Sequence, residues 1–219
     1  MPGASKWLIP AFVFICPSIV HAQSCTSATC RAADCSRNNV LAALPSPSNT
    51  NSTVTVIIPA CTAAQSNWTS HLTYAVPSGV TSLTIQGQTV CNGTGDPNAN
   101  NLLACTDGTT IQDNDTADNN WLIGITSAGG FVRITGLTVQ KGTGITKGSG
   151  LLAASSGTIR IDHNHINYDS DTVGAKSNGV YVGGCTRGVV DHNLWTNQND
   201  TTGFAMSVDT GQGCLGNRR

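Results

Sequence analysis

Three segments decide the fold: Val132-Arg-Ile-Thr-Gly-Leu-Thr-Val139, Ile159-Arg-Ile-Asp-His-Asn-His-Ile166 and Gly188-Val-Val-Asp-His-Asn-Leu-Trp195. They superimpose without gaps at offsets of 27 and 29 residues. A weaker copy, Leu83-Thr-Ile-Gln-Gly87, lies 49 residues before the first, or about two periods. Between them runs a second apolar set: Trp121-Leu-Ile-Gly-Ile125, Gly150-Leu-Leu-Ala-Ala154, Gly179-Val-Tyr-Val182 and Gly203-Phe-Ala-Met-Ser207. Its offsets are 29, 29 and 24 residues. Repeats of this length mark solenoids or arrays. Each run is short, rich in β-branched residues and bounded by Gly, Asn, Asp or Ser, which is the signature of strands. The expected fold is all-β, a solenoid whose coils each carry two or three short strands. Successive coils stack in parallel at ~4.8 Å, with apolar side chains filling the bore.

The composition agrees. All 12 acidic residues are Asp, only 11% of residues are charged, and there are 24 Gly. Long helices and coiled coils require Glu, Lys and Leu in quantity. Zincin and EF-hand sites require Glu. A net charge of −1 leaves no basic excess for a phosphate backbone, so no nucleic-acid partner is expected.

The first segment reads as an address. Lys6 supplies a positive start, Trp7 to Val20 is apolar but broken by Pro10 and Pro17, and Val20-His21-Ala22 offers a cleavage site. Residues 1–22 are expected to be a secretory signal peptide, and the mature chain to be secreted, extracellular or periplasmic, without a membrane span. Cleavage leaves eight cysteines, and an even number in an exported chain reads as disulfides. Cys91 and Cys105 flank a Gly/Asn-rich excursion and would tie its base. Cys185 and Cys214 stand one period apart, and Cys25 and Cys30 remain as a further pair.

The run Cys35-Ser-Arg-Asn-Asn-Val-Leu-Ala-Ala-Leu44, then Val54-Thr-Val-Ile-Ile-Pro-Ala60 with Cys61, then Leu83-Thr-Ile-Gln-Gly87, resembles secreted right-handed parallel β-helix proteins of the pectin-lyase-like superfamily. The resemblance spans about residues 35–217. It implies an N-terminal segment, 23–52, with a capping helix near 36–44 that turns Val40, Leu41 and Leu44 onto the first coil. It also implies a Cys35–Cys61 bridge and a solenoid over 53–219. Members of that superfamily run longer, and no cap is visible before Arg219. The expectation is therefore an N-terminal fragment with an incomplete C-terminal end.

For chemistry, the doubled Asp162-His163-Asn164 and Asp191-His192-Asn193 stand out. With Ile161 and Val190 inward, period two puts Arg160, Asp162 and Asp191 outward, and stacking sets the two carboxylates about 5 Å apart. Carboxylates that close share a proton or bind a cation, and Ca²⁺ suits them. Ile161-Asp162-His163 resembles a pectate-lyase segment whose Asp ligates calcium. That resemblance implies a calcium-assisted polyuronate lyase with Asp162 and Asp191 as ligands and Arg160, Arg187 or Lys176 as base. Paired Asp residues also fit a glycoside hydrolase loosely, although no Asn-Thr-Asp or Gly-His-Gly segment of such enzymes occurs. The rival readings are a non-catalytic surface, adhesion or glycan-binding solenoid, and an inactive fragment; all but the last take extracellular polysaccharide as partner. A purely structural reading makes the Asp-His-Asn block a coil corner, with Asn164 and Asn193 forming an amide ladder and the two His stacked beside it. No Ser-His-Asp set is assignable, and His71 stands alone in the sequence.

Overall fold

The computed structural model describes residues 25–93, 102–115, 121–142, 150–167, 178–196 and 204–209. The expected signal segment, Lys176, Cys214 and the side chain of Cys185 lie outside the described residues, and the Cys185–Cys214 pairing with them. In chain order the elements are β1 (Thr29–Arg31), α1 (Arg37–Ala43), β2 (Thr53–Ile57), α2 (Ala63–Ser66), β3 (Leu72–Ala75), β4 (Ser82–Gln86), β5 (Val90–Asn92), β6 (Ala104–Thr106), β7 (Thr110–Asp113) and β8 (Trp121–Thr126). They continue with β9 (Phe131–Thr135), β10 (Thr138–Lys141), β11 (Gly150–Asp162), β12 (His165–Asn167), β13 (Asn178–Asp191), β14 (Leu194–Thr196) and β15 (Phe204–Asp209).

Pairing is parallel throughout, except in the β5–β6 hairpin. The strands wind into a parallel β-solenoid of about four turns with three faces. The first face stacks β1, β2, β4, β9 and the second halves of β11 and β13. The second stacks β3, β8, the first halves of β11 and β13, and β15. The third stacks β7, β10, β12 and β14. In the two later coils the first two faces share one long strand, bent at a bulge between Ser155 and Gly157 of β11.

Period two fills the bore. Val54, Leu83, Val132 and Ile159 form one inward ladder, and Val56, Ile85, Ile134 and Ile161 the next. Ile111, Val139 and Ile166 line the third face, with Trp195 partly buried beyond them. Burying each such side chain stabilises the fold by roughly 1.5–3 kcal/mol. The ladders explain why a chain so poor in charge needs no helical layer.

The register corrects two sequence expectations. Ser82 pairs directly with Phe131, so the 49-residue offset is one coil, not two. That coil carries the β5–β6 hairpin, tied by Cys91–Cys105 with Cα atoms 4.0 Å apart. On the second face the pairs are Leu152–Val180 and Val180–Met206, offsets of 28 and 26 rather than 29 and 24. Val180 therefore lies opposite Met206, two residues beyond the position that a 24-residue offset gives.

The helix near 36–44 is present as α1 but is not the outermost element, because β1 precedes it and extends the first face beyond β2. Val40, Ala43 and Leu44 are buried, whereas Leu41 is 36% exposed. On α1, 40 and 43 share one stripe, which the extended C-cap residue Leu44 continues, and 41 falls more than a quarter-turn away. In the first coil α2 stands where the third-face strand would be, between the isolated bridges Cys61–Thr109 and Trp68–Asp113. Trp68 is buried there and donates its indole N–H to the Cys35 carbonyl at 2.9 Å. Cys35–Cys61 and Cys25–Cys30 staple this end, with Cα separations of 6.3 and 5.9 Å. Such bonds persist in oxidising compartments. Tyr74 closes the same region, donating its hydroxyl to the Pro45 carbonyl at 2.6 Å, and burial pushes its phenol above the ordinary value. No helix among the described residues is long and apolar enough to cross a membrane.

Candidate functional site

The Asp-His-Asn blocks lie at the corner between the first and third faces. Thr135-Gly136-Leu137, Asp162-His163-Asn164 and Asp191-His192-Asn193 occupy equivalent positions. The central residue turns the corner with positive φ: 69° at Gly136, 56° at His163 and 53° at His192. Left-handed backbone is costly for a non-glycine residue and persists only where its surroundings hold it. Here the asparagines hold it. Asn164 Oδ1 accepts from Leu137 N at 3.0 Å, and its amide donates to the Ile134 carbonyl at 3.1 Å. Asn193 repeats this one coil on, accepting from Asn164 N at 3.0 Å and donating to the Ile161 carbonyl at 2.8 Å. The His163 and His192 rings stack with centroids 5.1 Å apart and planes within 5°. Each places Nδ1 against the preceding carboxylate, at 3.0 Å from Asp162 and 2.9 Å from Asp191. The amide ladder is as expected for a corner; the left-handed residue is the histidine, not Asp or Asn.

Beside the corner, Arg133 and Arg160 stack in one row and Thr135, Asp162 and Asp191 in the next. Arg133 grips Asp162 with two bonds, Nε to Oδ1 at 2.8 Å and Nη2 to Oδ2 at 2.5 Å. Arg160 spans both carboxylates, 3.2 Å from each. The Asp162 side chain is 0% exposed, against 27% for Asp191, 36% for Arg133 and 42% for Arg160. Burial raises the Asp162 pKa, but hydrogen bonds from Arg133 and His163, with the charges of Arg133 and Arg160, hold it below the ordinary carboxylate value. The Asp162 hydrogen bond in turn raises the Arg133 pKa.

The structure thus brings Arg160, Asp162 and Asp191 together, and the cation between the two carboxylates is a guanidinium. Calcium requires six to eight oxygens on a reachable carboxylate set. Both Asp162 oxygens are engaged by Arg133, and among the described residues no group of three or more His, Cys, Asp or Glu side chains is placed to hold a metal. These residues do not fit Ca²⁺. Arg187 sits at the outward start of the same face, paired with Thr158 and two outward rows from the carboxylates.

A cleft of about 350 Å³ adjoins this ladder. Gln88, Thr89 and the base of the β5–β6 hairpin wall one side; Thr135, Gly136 and His163 form the other. Across the hairpin lies a polar network that sequence reading missed. Gly108 N and Thr109 N donate to Thr89 Oγ1 at 3.1 and 3.2 Å. Thr89 Oγ1 is 2.9 Å from Thr138 Oγ1, and Thr138 Oγ1 donates to Asp107 Oδ1 at 2.7 Å. His165 Nδ1 meets the same Asp107 oxygen at 2.7 Å, and His165 Nε2 meets Thr196 Oγ1 at 2.8 Å. His71 is not isolated either: buried at the far end of the third face, it lies 3.0 Å from Asp115 and 3.7 Å from Asp113. Asp107 carried no sequence signal, because its coil neighbours follow only once the 49-residue coil is counted as one, and Thr196 lies one residue beyond the repeated segment. On the second face, Trp121 and Tyr181 stack with centroids 4.6 Å apart.

Comparison with protein families, curated proteins and solved structures finds no match to this chain.

Proposed function

We propose that the chain is a secreted parallel β-solenoid of the pectin-lyase-like type that binds an extended extracellular polysaccharide along its first face, without cleaving it at Asp162 and Asp191. The observation that carries this reading is the patch formed by Arg133, Arg160, Asp191 and the two stacked histidines. It presents partly exposed donors and acceptors at strand spacing along the solenoid axis, each locked by a neighbour in the next coil. Side chains already fixed lose little entropy when a ligand arrives. A shallow ladder of this kind suits a long chain of hydroxyl and carboxylate groups better than a compact ligand. The lyase reading loses ground because its calcium ligand is buried under two arginines.

The test is affinity electrophoresis of the whole protein through gels containing polygalacturonate or a neutral glycan. Retardation that falls at least ~10-fold in the double variant Arg160→Gln, Asp191→Asn supports the reading; each buried or partly buried charged hydrogen bond lost costs about 1.5–3 kcal/mol. Calcium-dependent release of unsaturated product from polygalacturonate, abolished by Asp162→Ala with Asp191→Ala, would replace it with the lyase. Absence of retardation in every glycan gel would leave the fold without this function.

A further inference from the structure

We propose that Thr196, His165 and Asp107 form a nucleophile–base–orienting relay that hydrolyses short-chain carboxylic esters. This goes beyond the glycan-binding reading and does not depend on it.

The argument begins with the direction of the hydrogen bonds. Two backbone N–H groups fill the lone pairs of Thr89 Oγ1, so its hydroxyl is a donor, shared between Thr138 Oγ1 at 2.9 Å and the Thr109 carbonyl at the longer 3.4 Å. Thr138 Oγ1 accepts that bond and spends its own proton on Asp107. Thr89 and Thr138 are buried, so no water reorients the chain. Asp107 is an acceptor, and the nitrogen facing it, His165 Nδ1, is therefore the protonated one. The opposite nitrogen, Nε2, is left with its lone pair toward Thr196 Oγ1, which donates to it at 2.8 Å. A bond chain running in one direction polarises each member. A hydroxyl hydrogen-bonded to an imidazole, itself oriented by a carboxylate, is the arrangement that activates an alcohol nucleophile.

The five residues come from four coils: Thr89 and Asp107 flank the hairpin of one, Thr138 is on β10, His165 on β12 and Thr196 on β14. Stapling adjacent coils would need only pairwise contacts. The network instead links four coils through to Thr196, a half-buried residue.

The chemistry balances with water as co-reactant. Thr196 Oγ attacks the carbonyl carbon of the ester while its proton passes to His165 Nε2. The carbonyl carbon–alkoxy bond then breaks, and the leaving alkoxide takes that proton, departing as the alcohol. Water attacks the resulting acyl-threonine, giving a proton to His165. Thr196 Oγ leaves and recovers it, releasing the carboxylic acid. Esters are the matching class because their alkoxide leaves more readily than an amine. A glycosidic bond would need a carboxylic acid donor, and Asp107 is committed to two partners. Thr196 and His165 are the catalytic residues; Asp107 is a positioning residue.

The experiment uses the full chain and p-nitrophenyl acetate. Saturable hydrolysis is expected, falling at least ~100-fold in Thr196→Val and in His165→Gln, and retained in Thr196→Ser, which restores the hydroxyl. Asp107→Asn should lower kcat with KM little changed. A fluorophosphonate probe should label Thr196, read by peptide mass. Thermal melting of each variant separates loss of the fold from loss of the nucleophile. Hydrolysis by the unaltered protein no faster than by His165→Gln, undiminished activity in a folded Thr196→Val, or a label on another residue would each overturn the proposal.

Discussion

Arg133 on one coil holds Asp162 on the next through two charge-assisted hydrogen bonds, and the carboxylate they hold is completely buried. Because the folded protein lowers the pKa of that carboxyl, its contribution to stability is present above the ordinary carboxylate value of about 3.9. It disappears as acid protonates the folded form. The melting temperature should therefore fall steeply below about pH 4, and Asp162→Asn should flatten that acid limb. Near neutral pH, Arg133→Met should cost about 1–2 kcal/mol, less than a fully buried pair, because the guanidinium is partly solvated. Melting curves across pH for the three proteins check both statements.

Asn164 has no exposed surface and joins three coils through its side chain. Asn164→Ala leaves Leu137 N and the Ile134 carbonyl without this partner, and should destabilise by about 1–3 kcal/mol in urea unfolding. Asn193→Ala, nearer the surface, should cost less. Equal losses at the two positions would mean that the ladder is not graded by burial.

His163 offers a test of backbone strain. The preceding coil turns the same corner with Gly136, so His163→Gly relieves the left-handed geometry while losing the Asp162 bond and the ring stack. His163→Val retains the strain and adds a β-branch. Thermal melts should rank His163→Val well below His163→Gly, by about 1 kcal/mol or more.

Gly188 has φ of 150°, and a Cβ there would land on the carbonyl oxygen of Ile159 in the coil beneath. Gly188→Ala must push β13 away from β11 and should destabilise by at least ~1 kcal/mol. An unchanged denaturation midpoint would mean that these strands do not stack in this register.

Non-reduced peptide mapping should return Cys25 with Cys30, Cys35 with Cys61, and Cys91 with Cys105. Cys91→Ser with Cys105→Ser opens a loop of 14 residues, and the loop-entropy estimate for that length is about 3 kcal/mol. Because the hairpin stands on one coil, the loss should be smaller in global unfolding than in protection of the hairpin itself, as read by hydrogen exchange.

The wall strands were legible because alternation, bounded length and a gapless 27- and 29-residue repeat all specify the same stacking. Arg160, Asp162 and Asp191 were placed on one face for the same reason. Less legible was anything that depends on length between coils. The coil from Ser82 to Phe131 carries an excursion, and periodicity alone counts its 49 residues as two turns. Burial of Asp162 was also hidden, since period two assigns it outward and Arg133, an unremarked residue of the neighbouring segment, covers it together with Arg160. Leu41 was turned onto the first coil by the resemblance, where helix phase leaves it exposed. The Thr89–Thr196 relay joins residues more than 100 positions apart through side chains that individually carry no pattern.

The strands on either side of the oversized coil keep an unbroken register, so chain length there is decoupled from the architecture. Replacing the segment between Cys91 and Cys105 with a foreign peptide would leave the neighbouring walls untouched, which makes that position a natural site for displaying an inserted sequence on a rigid rod.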